Sequence, residues 1–85
     1  MKIKVTEEDM IFGRRGHPWM CPLALAMKRE TGWQATVSTT VLMLSHYDHG
    51  RLSWPPPFSV QEWIWRFDAC LHVEPVEFDI PTIIF

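Results

Sequence analysis

The run PPPFSVQEWIWRF, residues 55–67, constrains this chain more than any other stretch. Three consecutive prolines cannot donate ladder hydrogen bonds, so a strand must stop before them, and they favour a stiff, extended connection into the next element. That next element reads as a helix. Ser59 is placed to be its N-cap and Glu62, three residues on, its capping-box partner, with Phe58 ahead of the cap positioned to staple onto Trp63. Continuing to about residue 71 at 100° per residue, Val60, Trp63, Ile64, Phe67 and Leu71 fall on one arc and are expected to face the core, with Cys70 at its edge. Trp65 falls on the far side, among Gln61, Glu62, Asp68, Ala69 and His72. An outward tryptophan ringed by small and polar residues has the composition of a binding hot spot. The bland reading is that another part of the chain, such as the tail Ile83, Ile84 and Phe85, folds over it.

The rest of the chain supplies partners for that helix. KIKVT alternates, with Ile3 and Val5 on one side and Lys2 and Lys4 on the other, as in a half-buried strand. Thr6 then opens T-E-E-D, a capping box with Asp9 in place of the commoner Glu. Glu7, Glu8 and Asp9 read as a solvated first turn favoured by the helix dipole. GRRGHPW is a loop whose two arginines are expected to point from the surface. In CPLALAMKRETG, Pro22 suits the first helical position and Gly32 the C-terminal cap, with Leu23, Ala26, Met27 and Glu30 on one face. ATVSTTVLML is β-branched and reads as one strand. SHYDHG connects it to RLSW in a hairpin, and EPVEFDIP alternates as a last strand.

The order strand, helix, strand, strand, helix, strand predicts an α+β fold in a single domain over residues 1–85. Two helices are expected on one face of a four-stranded antiparallel sheet, the ferredoxin-like arrangement. There the first and last strands are neighbours, and Lys2 and Lys4 would face Glu77 and Asp79 across the pair.

Composition narrows function. The chain has 85 residues, 47% hydrophobic and 21% charged, which is incompatible with disorder. The apolar run around residues 39–44 is too short to cross a bilayer. MKIKVTEED lacks the apolar core of a signal peptide, so the cytoplasm is the expected compartment. Eight basic against ten acidic residues leave a net charge of −2, which argues against a phosphate-seeking protein. Cys21 and Cys70 form no C-x-x-C pair and read as reduced thiols, with a disulfide-linked homodimer through either left open.

Candidate chemistry is thin. His46-x-x-His49 with Asp48 sits on an expected hairpin connection without a further pair to complete a tetrahedral metal site. His17 and Cys21, four apart, are a weak nucleophile pair, His72-x-Glu74 lacks the cysteines of a deaminase motif, and G-R-R-G lacks the lysine and length of a phosphate loop. A non-enzyme without metal or cofactor is the expectation.

One likeness goes further. V-T-E-E-D-M-I-F-G-R-R-G followed by C-P-L-A-L-A-M-K-R resembles a family of small proteins encoded by bacteriophages and prophages, and the likeness extends to R-F-D and E-P-V-E-F-D-I near the end. Proteins of this size and class from phages are similar to anti-CRISPR inhibitors. The resemblance implies a phage protein in the cytoplasm of a bacterial host that binds a CRISPR effector complex, type I-like by preference, and blocks its target DNA without catalysis. The matching positions Thr6, Asp9, Gly13, Arg15, Gly16, Cys21 and Pro22 are explained by a cap, a turn and a helix start, so the expected partner-binding residues come from the surface reading. These are Trp65 with Glu62, Asp68, Ala69 and His72, then Arg14, Arg15 and Trp19. The alternative is a phage accessory protein that binds nucleic acid through Arg14, Arg15, Lys28 and Arg29.

Overall fold

A computed structural model describes residues 1–81. Along the chain run β1 (Lys2–Lys4), α1 (Glu7–Phe12), α2 (Pro22–Thr31), β2 (Gln34–Val37), β3 (Leu42–His46), β4 (Gly50–Trp54), α3 (Phe58–Asp68) and β5 (Glu77–Asp79). The α+β class is as expected, but the single four-stranded sheet is not. The strands form two separate antiparallel sheets, a pair β1-β5 and a meander β2-β3-β4.

Within the meander, β2 and β3 occupy V-S-T-T-V and its flanks, where one long strand was expected. Ser38 breaks it. Its hydroxyl accepts from the backbone N–H groups of Thr40 at 3.3 Å and Val41 at 3.1 Å, and its own N–H donates to the Val41 carbonyl at 2.9 Å. A serine hydroxyl that offers itself to nearby amides makes a local turn competitive with the ladder. β2 and β3 therefore pair with each other, Val37 opposite Leu42 and Ala35 opposite Leu44. The turn shifts the alternation by one residue, so that Val37 before it and Leu42 and Leu44 after it are buried. The hairpin expected between the next two strands is present, from Leu42 opposite Trp54 to His46 opposite Gly50.

The first and last strands are neighbours as expected, with Lys2 opposite Asp79 and Lys4 opposite Glu77. Glu77 reaches both lysines, at 3.7 and 3.9 Å. Such exposed pairs set register more than they add stability. Beyond the ladder, the Met1 ammonium donates to the Ile80 carbonyl at 2.9 Å and the Ile80 N–H donates back to the Met1 carbonyl at 2.9 Å.

The Thr6 capping box forms in full, Asp9 N–H to the Thr6 hydroxyl and Thr6 N–H to Asp9 Oδ2. Asp9, however, is not a solvated residue. It is 6% exposed, and its Oδ1 accepts from Arg29 Nη1 at 2.6 Å, joining α1 to α2. Arg29 also donates to the Lys4 carbonyl at 2.8 Å, so it fastens three elements, and this hydrogen-bonded carboxylate raises its already high pKa. Gly13 follows α1 because a Cβ there would stand 2.6 Å from both the Asp9 carbonyl oxygen and the Pro22 ring. α2 starts at Pro22 and ends on Gly32 in the left-handed region, both as expected. Leu23, Ala26 and Met27 are buried in the core, while Glu30 is exposed.

α3 corrects the sequence reading at both ends. Its N-cap is Pro57, whose carbonyl accepts from Val60 and Gln61, and Ser59 lies inside the first turn without a side-chain cap. The polyproline segment already delivers the chain at the entry angle, and Gln61 Nε2 fixes it by donating to the Pro56 carbonyl at 3.0 Å. Phe58 is 80% exposed, so the staple onto Trp63 does not form. Glu62 pairs along the helix with Arg66 instead, at 3.1 Å. The helix stops at Asp68 because Cys70 turns left-handed, at φ 62°. Cys70 N–H then donates to Phe67 O and Leu71 N–H to Arg66 O, the paired bonds of a Schellman cap. That reversal carries Cys70 and Leu71 out of the core, where both had been expected at least in part, and both are exposed. Val60, Trp63, Ile64 and Phe67 are buried as expected.

Candidate functional site

The outward side of α3 is an aromatic ridge. Trp65 is 62% exposed, and Phe58 precedes it by seven residues, two helical turns, on the same face. Phe58 was missed in the sequence because the apparent staple explained it; its seven-residue spacing from Trp65 was the available signal. Glu62 and Arg66, bonded to each other, flank the tryptophan, and Ala69 extends the face one turn further without bulk. The tail Ile83, Ile84 and Phe85, expected as a cover, lies outside the described residues.

The loop 13–20 meets the end of this helix. Arg15 does not simply point from a surface turn: its Nε donates to the Phe67 carbonyl at 3.0 Å, and its guanidinium carbon lies 4.7 Å from the Phe67 ring centroid. One residue on, Gly16 N–H donates to Asp68 Oδ1 at 2.9 Å. The Phe67 carbonyl thus accepts from both Arg15 and the Cys70 N–H, which ties the loop to the cap of α3. Arg15 and Asp68, named separately among the expected partner-binding residues, are thus brought together through the backbone. Arg14 is exposed, and its N–H closes the loop onto the Met20 carbonyl at 2.8 Å. Trp19 is 61% exposed, its ring meeting that of His17 edge-on at 4.6 Å. His72 pairs with Glu74 at 2.8 Å beyond the helix end, so Trp19 and His72 are held by neighbours other than the ridge.

Behind the ridge, between loop 16–18, the start of α2 and α3, lies a cleft of about 250 Å³. Cys21 lines it, 8% exposed, and burial pushes its thiol pKa up. A neutral thiol is a poor nucleophile, which weakens the Cys-His reading. The histidines of the β3-β4 turn belong to an aromatic group: the rings of His46 and His49 lie 4.6 Å apart, and Trp33 stacks on His49 at 6.0 Å. Among the described residues no group of three or more His, Cys, Asp and Glu side chains is placed to hold a metal ion. No helix among them is long and apolar enough to cross a membrane.

Set against known proteins, the chain matches no family model, no curated protein and no solved structure.

Proposed function

We propose that this protein acts by binding another protein through the Phe58-Trp65 ridge of α3, without catalysis. The observation that carries this reading is the exposure of two large aromatic side chains on one face of α3, 80% and 62%, in a helix that buries its other two aromatics, Trp63 and Phe67. Such a face gives large contact area at low conformational cost, and Trp65 with its rim of Glu62, Arg66 and Asp68 has the aromatic centre and polar margin of an interface.

The partner we propose is a CRISPR effector complex of a bacterial host, type I-like by preference, whose access to target DNA is blocked in the host cytoplasm. The choice of partner rests on the resemblance of the T-E-E-D, G-R-R-G and C-P-L-A-L-A segments to small phage proteins. Glu62 and Asp68 beside Trp65 suit the basic rim of a nucleic-acid groove. Direct nucleic-acid binding is the weaker reading, because Arg15 is committed to Phe67 and Arg29 to Asp9, Lys4 and Glu30, which leaves Arg14 and Lys28 for phosphate.

The experiment is inhibition of plasmid interference in cells that carry a type I system, comparing the native chain with a Trp65→Ala, Phe58→Ala double variant. Inhibition should be present and then lost in the variant, while the variant's thermal unfolding is unchanged. Equal inhibition by both proteins removes the ridge, and no inhibition by the native chain removes the partner.

A further inference from the structure

Among the described residues, β4 is the longest strand at a sheet edge, with five residues from Gly50 to Trp54. One side of it pairs with β3, and among the described residues no hydrogen bond reaches the backbone on its other side. By contrast, Val37 of β2 donates outward to the Pro18 carbonyl at 2.8 Å, and the Lys4 carbonyl of β1 accepts from Arg29 at 2.8 Å. A row of open N–H and C=O groups is a template for one more strand, which proteins commonly blunt with lysine, proline or a bulge. β4 carries a single charge, Arg51, and its prolines begin only after Trp54.

The side chains of β4 select the occupant. Leu52 stands opposite Leu44 and Trp54 opposite Leu42, so both belong to the core face of the meander. Leu42 and Leu44 are fully buried whereas Leu52 is 40% exposed, so the core stops one strand short of the edge. We propose that a second copy of this chain pairs antiparallel with β4 about a two-fold axis at Leu52, joining two three-stranded meanders into one continuous sheet. In this register Leu52 meets the partner's Leu52 and Arg51 meets the partner's Ser53. Trp54 meets the partner's Gly50, which has no side chain to crowd the indole. The neighbouring registers that keep the core faces aligned are worse. Centring on Arg51 sets two guanidinium groups opposite each other, and like charges across a strand pair repel. Centring on Ser53 runs Arg51 against the partner's Pro55, which has no N–H to donate. The edge is thus self-complementary at one register, as a two-fold contact requires. The proposal is independent of the ridge and its partner.

The test is sedimentation velocity of the full chain under reducing conditions, at concentrations up to about 1 mM, where a weak interface is populated. The native chain should pass from monomer to dimer. Ser53 is exposed and pairs with Met43 on the outer face, so it can be changed without disturbing the core. Ser53→Arg sets a second cation opposite Arg51 and Ser53→Glu sets a carboxylate there, each twice per dimer. The first should weaken the dimer and the second tighten it, each by about tenfold. Thermal unfolding of the dilute monomers should be alike for all three proteins. A native chain that stays monomeric throughout overturns the proposal. So does a dimer that both variants leave unchanged, which would place the contact elsewhere, and so does a dimer that both variants weaken alike, which would remove this register.

Discussion

Arg29 of α2 and Asp9 of α1 form the tightest charged contact among the described residues, 2.6 Å from Nη1 to Oδ1, with the carboxylate buried and the guanidinium side chain 44% exposed. Asp9 also caps α1, so one side chain closes a helix end and locks it to the next helix. Asp9→Ala should cost about 2–3 kcal/mol, a lost cap plus a lost charged hydrogen bond. Arg29→Ala should cost at least as much, about 2–4 kcal/mol, because it leaves the buried Asp9 carboxylate without its cation and the Lys4 carbonyl without its donor. Urea denaturation of the two variants checks the order.

Trp63 and Trp65, two residues apart, should behave as opposites. Trp63 is 8% exposed and its indole N–H donates to the Glu74 carbonyl at 2.7 Å, so Trp63→Ala should cost about 3–5 kcal/mol. Trp65→Ala should change stability by less than about 0.5 kcal/mol. Thermal and urea unfolding of both variants measure the contrast, and a large loss at Trp65 would mean that the ring is covered in solution.

The left-handed Cys70 should be improvable. Glycine is the preferred residue at this position of a Schellman cap because it lacks the Cβ clash. Cys70→Gly should therefore stabilise the protein by about 0.5–1 kcal/mol after its larger unfolded-state entropy is set against the relief. A rise in the midpoint of urea denaturation at constant slope is the expected sign.

The two thiols should separate in reactivity and in pH dependence. Cys70 is exposed and should react with a disulfide reagent in the native protein, whereas buried Cys21 should react only as the chain unfolds. Burial raises the Cys21 pKa above its ordinary 9.0, so the folded state retains a proton that the unfolded state loses. Its contribution to stability is thus complete below pH 9.0 and falls as pH rises toward the raised folded value. Denaturation midpoints from pH 8 to 10 should decline, and Cys21→Ala should flatten that decline even if it lowers the whole curve.

Local signals were legible in the sequence where neighbours in the chain decide them. Thr6 and Asp9 are three residues apart, Pro22 and Gly32 bracket one helix, and Lys2, Lys4, Glu77 and Asp79 carry their pairing in their charges. The outward position of Trp65 followed from helical period alone. V-S-T-T-V was misread because β-branched residues favour strand while Ser38 makes a turn with its hydroxyl, and spacing does not weigh one against the other. The Ser59 cap lost to Pro57 because the entry path of the chain had already supplied an acceptor. The cleft was not legible at all, since His17, Val37, Trp63 and Asp68 meet only after three separate segments are packed.

The bond pair between Met1 and Ile80 places the outer ends of β1 and β5 side by side. A mechanical load applied at these two points pulls across the strands rather than along them. The Met1-Ile80 bonds must part first, then the Lys2-Asp79 rung, then Ile3-Phe78, each alone and in sequence. A load across these two points therefore opens β1 from β5 in the manner of a zip, one rung at a time and at low force.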